Sequence, residues 1–360
     1  MKHTWMRLAT AAVTAAAMLP AMPVQAADPV QVVVIGDNVA YAAGTATQAY
    51  AENAGITNAE YRFFVKENAH TEDVLAQLDD AAAQEALKNA DYVIFSVGMY
   101  DILDPYIAQA EEYRIQFGFK HFSEIFGAHM SDLGIKDEDE LTGYCNTLGR
   151  CARQNRKTAQ ANLPTIGEKL HTITTAKVIA INCYNPMDTI KSYDTLSGKR
   201  QMAYDTASNP VKGMLKDYLN PEYAKFTDAY GFTVVDSFNE FLGKAYLYSH
   251  PEELQPEPSL LGARQLAIEV SKEMNYQLDF PEPTLGDVND DKVINASDAA
   301  QVLIHSASVG AGNSGSLTKL QAMSGNVSRD FQVNATDAAR ILIYAAIAGA
   351  GGDADFGRIG

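Results

Sequence analysis

The C-terminal part of the chain contains one segment written twice, and this repeat constrains the fold more than any other feature. The first copy, GDVNDDKVINASDAAQVLIHSA, begins at Gly286, and the second, GNVSRDFQVNATDAARILIYAA, begins at Gly325. The copies align without a gap. A repeat at a fixed offset indicates two copies of one structural unit, each of which buries its apolar face against the other.

Each copy has the oxygen spacing of a calcium-binding loop. An EF-hand-type loop places its ligands at positions 1, 3, 5, 7, 9 and 12, with a backbone carbonyl at position 7. The corresponding residues are Asp287, Asn289, Asp291, Val293, Asn295 and Asp298 in the first loop, and Asn326, Ser328, Asp330, Gln332, Asn334 and Asp337 in the second. The second loop has fewer carboxylates, so we expect two calcium sites of which the second is weaker. An apolar helical pattern follows each loop.

The repeat resembles a type I dockerin, the calcium-folded module that attaches enzymes to the cohesins of a cellulosome scaffoldin. Position 6 of each loop, where the backbone favours a positive φ and therefore Gly, is Lys292 in one copy and Phe331 in the other. The resemblance implies a cohesin partner. It also implies a partner-binding surface, made of Ala296, Ser297, Leu303, Ile304, Ala335, Thr336, Leu342 and Ile343.

The N-terminal residues 1–27 have the pattern of a signal peptide. Lys2 and Arg7 precede an Ala-rich apolar run, and Val24-Gln25-Ala26 fits a cleavage site. The apolar run is shorter than the roughly 20 residues that a membrane span needs. We therefore expect a secreted, extracellular protein that belongs to a cell-surface or released complex. The net charge of −17 argues against nucleic acid and anionic membranes as partners.

Between Val30 and about Tyr276, apolar strand patterns alternate with helical patterns. The predicted strands are Gln31–Ile35, Tyr61–Val65, Tyr92–Val97, Lys177–Asn182 and Phe232–Val235. The predicted helices are Ala40–Ala54, Thr71–Ala90, Ala108–Phe117, Asp137–Leu170 with a break at Pro164, and Val211–Tyr230. Continuously apolar strands separated by helices predict an α/β fold whose parallel sheet is covered by helices on both faces.

These patterns divide the chain into segments. We predict an α/β domain over residues 28–279, a linker over 280–285 stiffened by Pro-Glu-Pro, the small all-α repeat over 286–348 and a tail over 349–360. Three cysteines exclude a disulfide scaffold. Cys145 and Cys151 either pair with each other or remain free thiols, and Cys183 lies in an apolar run that predicts burial.

Ligands of a parallel sheet bind beyond the carboxyl ends of its strands. The residues there include Gly36-Asp37 after the first strand, Gly98 and Asp101 after the third, and His250-Pro251 after the last. In order and spacing these positions resemble the motif blocks of the SGNH/GDSL hydrolase superfamily of esterases and lipases. The resemblance implies a flavodoxin-like three-layer parallel sheet. The resemblance covers most of the α/β domain. It implies an ester-hydrolase cleft with His250 as the catalytic base.

The chain departs from the family at the reacting groups. Asn38 stands where the family has its nucleophilic Ser, and an amide cannot be activated by a base to attack an ester. Tyr100 replaces the Asn that donates to the oxyanion, and Leu247 replaces the Asp that orients the histidine. Ala69 stands where a Gly N–H usually serves the oxyanion. These changes predict that ordinary ester hydrolysis is lost.

Three functions follow as hypotheses. In the first, a dockerin delivers an inactive SGNH-like domain that binds plant polysaccharide or protein. The second is an active carbohydrate esterase that uses Thr71 or Ser96 as nucleophile with His250. The third is a structural or regulatory subunit that competes for cohesins. A group of tyrosines at the cleft mouth would suit stacking on sugars, but in a chain with eighteen tyrosines their spacing is weak evidence for it. The candidates are Tyr100, Tyr106, Tyr184 and Tyr248.

Overall fold

The computed structural model describes residues 28–330 and 332–359, so the predicted signal peptide and Phe331 lie outside the described residues. The strands are β1 (Val30–Gly36), β2 (Ala59–Val65), β3 (Tyr92–Ser96), β4 (Lys177–Ile181) and β5 (Thr233–Val235). The helices before the last strand are α1 (Asn38–Asn53), α2 (Thr71–Asp79), α3 (Ala81–Lys88), α4 (Met99–Phe117), α5 (Glu124–Gly127), α6 (Met130–Leu133), α7 (Glu138–Cys151), α8 (Arg156–Ile173), α9 (Gly198–Met214) and α10 (Asn220–Tyr230). Those after it are α11 (Ser237–Phe241), α12 (Ala245–Tyr248), α13 (Leu260–Glu273), α14 (Ala296–Gly310), α15 (Lys319–Gly325) and α16 (Ala335–Gly349).

The five strands form one parallel sheet in the order β2-β1-β3-β4-β5. This is the strand order of flavodoxin-like doubly wound sheets. Helices cover both faces, and β1 is buried from Val32 to Ile35 because neither face meets water. All five predicted strands are present with bounds that differ by no more than two residues. The predicted α/β fold class is therefore confirmed.

Several helix bounds differ from the predicted ones. The predicted helix Thr71–Ala90 is divided into α2 and α3, and the predicted helix Ala108–Phe117 is only the second half of α4. The predicted helix Val211–Tyr230 covers the end of α9 and all of α10.

The stretch from Asp137 to Leu170 is interrupted after Cys151 and restarts at Arg156, whereas Pro164 lies inside α8. A proline in a helix removes one backbone hydrogen bond. Its neighbours Leu163 and Ile166 are fully buried, and their packing against the core compensates for that loss.

The turn after β1 depends on a glycine. Gly36 has φ +132, and a Cβ at this position would lie 1.9 Å from the backbone oxygen of Ser96 on β3. The missing side chain lets β1 lie close to β3 and lets Asp37 N donate to Ser96 O at 3.2 Å. The chain then enters α1 directly above the carboxyl end of the sheet.

The C-terminal repeat folds into two loop-helix units whose helices α14 and α16 pack against each other. Their apolar core also contains Phe356 and Ile359, which come from the segment predicted as a tail. Phe356 stacks on Tyr344 with ring centroids 4.4 Å apart. Residues beyond 348 therefore contribute to the core of this module.

The module lies against the α/β domain. Helix α15 contacts α1, and Leu320 and Met323 pack on an apolar cluster that contains Tyr50 and Ala267. The predicted linker takes part, because the Tyr50 hydroxyl donates to the Pro281 carbonyl at 3.1 Å. Across the described residues, no helix is both long and apolar enough to span a membrane.

Replacement of Gly36 by Ala should destabilise the domain by more than about 3 kcal/mol, because the new Cβ meets backbone atoms that cannot move aside. Gly55→Ala is the matched control: it also has a positive φ, +81, but has open space around it. The control should cost about 1 kcal/mol, the price of strain alone. Urea unfolding of the two variants measures both values, and equal midpoints would contradict the role given to Gly36.

Candidate functional site

A cleft lies at the carboxyl end of the sheet, where the C-terminal module meets the α/β domain. An inner cavity of about 300 Å³ is lined by Asn38, His250 and Glu257 on one side and by Arg329 and Asp330 of the second loop on the other. An open groove of about 890 Å³ adjoins it. The structure thus brings the predicted cleft residues Asn38 and His250 to one cavity, together with the predicted calcium ligands Asn326 and Asp330.

Asn38 is the first residue of α1, the position at which the family resemblance places a nucleophile. Its side chain is 6% exposed, and its Oδ1 accepts a hydrogen bond of 2.7 Å from the backbone N–H of Asn68. Asn68 has φ +51, a conformation that non-glycine residues seldom adopt, and the hydrogen bond from Asn38 helps to stabilise it. Asn38 therefore holds the β2–α2 loop against α1 and offers no nucleophile.

Asp37 is completely buried beneath Asn38 and caps α1. Its Oδ1 accepts from Val39 N at 3.0 Å and from Ala40 N at 3.3 Å, while its Oδ2 has no partner among the described residues. Burial raises the pKa of Asp37 to about 7, and the helix amides oppose this rise only in part. At the end of β1, Asp37 therefore serves as the N-terminal cap of α1.

The other residues of the predicted cleft are buried and do not line the inner cavity. Ala69, Tyr100 and Asp101 are at most 2% exposed. Ala69 N already donates to Lys66 O at 3.3 Å, and the Tyr100 hydroxyl has no partner in the described part of the chain. No oxyanion site therefore forms from these groups in this conformation.

The two alternative nucleophiles are also buried. Thr71 is 0% exposed, and its hydroxyl donates to Asp101 Oδ1 at 2.9 Å and accepts from Asn162 Nδ2 at 3.0 Å. Ser96 is 1% exposed at the end of β3. Burial also raises the pKa of Asp101, the carboxyl that Thr71 contacts. Neither hydroxyl is open to a substrate.

The predicted tyrosine cluster at the cleft mouth is wrong. Tyr100, Tyr106 and Tyr184 are at most 1% exposed and belong to the apolar core. Tyr248 packs on Phe241, with ring centroids 4.8 Å apart. Large apolar rings gain more from burial than a partly wet cleft offers them, and spacing alone could not separate the two environments.

His250 is half-buried on a short bridge, in which its N–H donates to Gln255 O and its carbonyl accepts from Gln255 N. Its ring has no hydrogen bond within the described residues, and Leu247, at the position of the orienting Asp, is 41% exposed. Burial and the Arg329 charge lower the pKa of His250 well below its ordinary value. The imidazole is therefore neutral but not oriented for catalysis.

Arg329 and the acids around it were missed by the sequence analysis. Arg329 Nη1 donates to Gln255 Oε1 at 2.8 Å and lies 3.9 Å from Glu253 Oε2. Burial raises the pKa of the nearby Glu257 to about 7. One signal was available: loop position 4 carries Asp290 in the first copy and the oppositely charged Arg329 in the second.

The first loop folds around its predicted ligands. Asp298, fully buried, accepts from Val288 N and Asn289 N through Oδ1 and from Asn295 N through Oδ2. Asp287 accepts from Asp291 N and from Lys292 N. Lys292 has φ +69, so the left-handed position 6 is present although Gly is not.

The second loop repeats this arrangement with fewer charges. Asp337 is fully buried and accepts from Ser328 N and Asn334 N, as Asp298 does in the first loop. Asn326 Nδ2 donates to the Asp330 carbonyl. Within the described residues, no group of three or more His, Cys, Asp or Glu side chains is arranged to hold a metal ion. The all-oxygen donor sets suit calcium, and both sites stay predictions.

The cysteines are free thiols and all three are buried. Of the two states left open for Cys145 and Cys151, the structure has the unpaired one. Burial raises the pKa of Cys145 to about 12 and that of Cys183 well above its ordinary value. Thiolate chemistry at these residues is therefore suppressed.

Comparisons with known proteins give fold-level likenesses only. No protein-family model matches the chain, and no curated protein matches it. A lipase from a goat rumen metagenome is 17% identical over 69% of this chain and 100% of that chain, with a TM-score of 0.42. A lipase/acylhydrolase from Enterococcus faecalis is 14% identical over 70% and 98%, with a TM-score of 0.35. An acetyl xylan esterase is 14% identical over 67% and 98%, with a TM-score of 0.33. Because these TM-scores are below 0.5, the fold class rests on the strand order.

The stability of the Asp37→Asn variant relative to that of the wild type should increase as the pH rises. Between about pH 4 and about pH 7 the folded state keeps a proton on Asp37 that the unfolded state has released, so wild-type stability falls through this window. Asn keeps the helix cap without the buried charge. The difference in unfolding free energy between variant and wild type should grow by on the order of 2 kcal/mol from about pH 5 to about pH 8.

Urea unfolding at the two pH values measures this difference. Asp80→Asn is the control, since it makes the same exchange at the exposed cap of α3, where Asp80 Oδ1 accepts from Ala83 N. The unfolding free energy of this variant should differ from that of the wild type by the same amount at both pH values. A pH-independent effect of Asp37→Asn would show that the buried carboxyl is not protonated in this window.

Proposed function

We propose that this chain is a secreted, cellulosome-type component. Its C-terminal repeat is a calcium-dependent dockerin that binds a scaffoldin cohesin. Its α/β domain is SGNH-like, has lost ordinary ester hydrolysis and binds carbohydrate or protein in the cleft. The proposal joins the sequence resemblances to the geometry of the two halves.

The observation that carries the docking role is the match between the exposed faces of the two copies. Leu303 and Ile304 on α14 are 44% and 60% exposed, and Leu342 and Ile343 on α16 are 44% and 48% exposed. Residues 296–305 and 335–344 also have the same order of buried, half-buried and exposed positions. Two equivalent apolar faces on one small module suit a partner that binds either copy.

The calcium role is supported by two buried carboxylates. Asp298 and Asp337 are each 0% exposed and are met by backbone N–H groups. A buried anion is costly unless a cation or several donors compensate it. When bound, calcium supplies the missing positive charge, and Asp287, Asp291 and Asp330 are the further carboxylates that would hold it.

The loss of hydrolysis is supported by the state of each reacting position. Asn38 is hydrogen-bonded to Asn68, His250 has no orienting acid among the residues that the structure describes, and both Thr71 and Ser96 are buried. No observation favours the alternative esterase. The open groove beside His250 is rich in groups that hydrogen-bond to hydroxyls, which suits a saccharide; they include Ser123, Glu138, Ser192, Thr195 and Ser197.

Leu303→Arg or Leu342→Arg alone should leave cohesin binding largely intact, because the other copy still presents its face. The double variant should weaken binding by more than about thirtyfold, since both central apolar contacts are lost. Titration calorimetry with an isolated type I cohesin in calcium measures the three affinities.

Val309→Arg is the control for this series, since Val309 is an equally exposed apolar residue on α14 that lies outside the predicted surface. It should bind like the wild type. If either single Leu variant abolished binding, the two faces would not be equivalent. If no variant had an effect, docking would use another surface.

Wild-type protein should show no ester turnover above background on p-nitrophenyl acetate or acetylated xylan, because no hydroxyl in the described part of the chain is hydrogen-bonded to the His250 ring. His250→Ala should not change this result. The measurement is the ester turnover of the wild type and of His250→Ala, assayed side by side at equal protein concentration. Turnover that disappears with His250→Ala would overturn the inactive assignment and restore the esterase.

A further inference from the structure

Arg329 stands between the two cavities of the cleft. His250 and Arg329 are the two residues that line both the inner cavity of about 300 Å³ and the open groove of about 890 Å³. The inner cavity contains Asn38 and Glu257, and the groove opens to solvent. The guanidinium therefore forms part of the partition between them.

The contacts of Arg329 reach across from the C-terminal module to the segment that carries His250. Its Nη1 donates to Gln255 Oε1 at 2.8 Å, and Glu253 Oε2 lies 3.9 Å away. The side chain is 16% exposed, yet its Nε has no partner among the described residues. A buried donor without a partner is unfavourable, so the contacts of Nη1 with Gln255 and Glu253 and the backbone that carries the side chain together hold it here.

That backbone is fixed by a predicted calcium ligand. Arg329 has φ +66, and its N–H donates to Asn326 Oδ1 at 3.1 Å. Ser328 Oγ donates to the same oxygen at 3.3 Å. Asn326 is position 1 of the loop, so one amide group both seats Arg329 and would ligate the ion. Occupancy of the loop and the position of Arg329 are therefore linked.

The first loop provides the contrast. Asp290 occupies the same loop position, with φ +59, but its side chain is 79% exposed and pairs with Lys292 of its own loop. The second loop instead faces the cleft, because α15, which leads into it, is anchored on α1 through Leu320 and Met323. Of the two loops, the one that contacts the α/β domain is therefore the one that carries a positive charge, Arg329, at loop position 4.

We propose that the second loop of the repeat is an intramolecular cap on the cleft, with Arg329 closing the inner cavity and calcium in that loop holding the cap shut. A ligand of the inner cavity then binds only when Arg329 leaves Gln255. This inference rests on the proposed calcium site, but it is independent of cohesin docking and of the loss of hydrolysis.

The accessibility of His250 tests the cap. Diethyl pyrocarbonate modifies accessible neutral imidazoles, and peptide mass spectrometry of the full chain gives the rate at His250 relative to the exposed His129. In calcium the wild type should react more slowly than His129, since the half-buried ring of His250 meets solvent only on its groove side, and Arg329→Asn should react about fivefold faster than the wild type or more. Removal of calcium with EDTA should raise the wild-type rate toward that of the variant, and should change the variant much less.

Asp290→Asn is the matched control, because it makes the same exchange at the same left-handed position of the other loop, and Asn tolerates that conformation. It should react like the wild type. Gln255→Ala removes the acceptor without touching the repeat and should raise the rate in the same direction. Equal rates for wild type, Arg329→Asn and Gln255→Ala in calcium, with unchanged circular dichroism, would overturn the cap.

Calcium titration of the same samples separates this inference from the proposed function. If calcium binds and the Arg329→Asn rate equals the wild-type rate, the cap fails while the calcium module stands. If no calcium binds but Arg329→Asn still exposes His250, the ion is not what holds the cap, and the calcium part of both proposals is refuted. If calcium binds and Gln255→Ala weakens one site about fivefold, the reciprocal linkage that the cap requires is present.

Discussion

The buried carboxylates of Asp298 and Asp337 determine the shape of the C-terminal module. Each fixes the backbone of its loop through N–H groups and also caps the helix that follows, so loop and helix are set by one side chain. The exposed apolar faces of α14 and α16 take their equivalence from this shared geometry. The proposed calcium, docking and capping roles all depend on these two anions being compensated.

The module is also tied to the domain that it carries. Phe280 and Pro281, from the predicted linker, lie against Tyr50 of α1. Arg329 lies against the loop that bears His250. A dockerin connected only by a flexible tether would leave the cleft unaffected. Here the second loop forms part of the cleft wall, so an ion that binds the module can act on the cavity.

Much of the fold was predictable because its signals are local. The apolar runs of β1 and β3, buried on both faces, and the repeated loop pattern each specify their own structure. Pro164 was misjudged because the burial of Leu163 and Ile166 comes from tertiary packing. The contact of Arg329 with Gln255 joins residues 74 positions apart in the chain and left only the charge reversal at loop position 4 as a clue. The commitment of Asn38 to Asn68 likewise depends on how two loops meet.

Calorimetric titration of the intact chain with calcium tests the central claim most directly. The account predicts two binding events, the weaker one in the second loop, and an unfolding temperature that rises with free calcium. Asp298→Asn should remove the tighter event and Asp337→Asn the weaker one. Absence of binding heat, together with the same unfolding temperature in calcium and in EDTA, would contradict it.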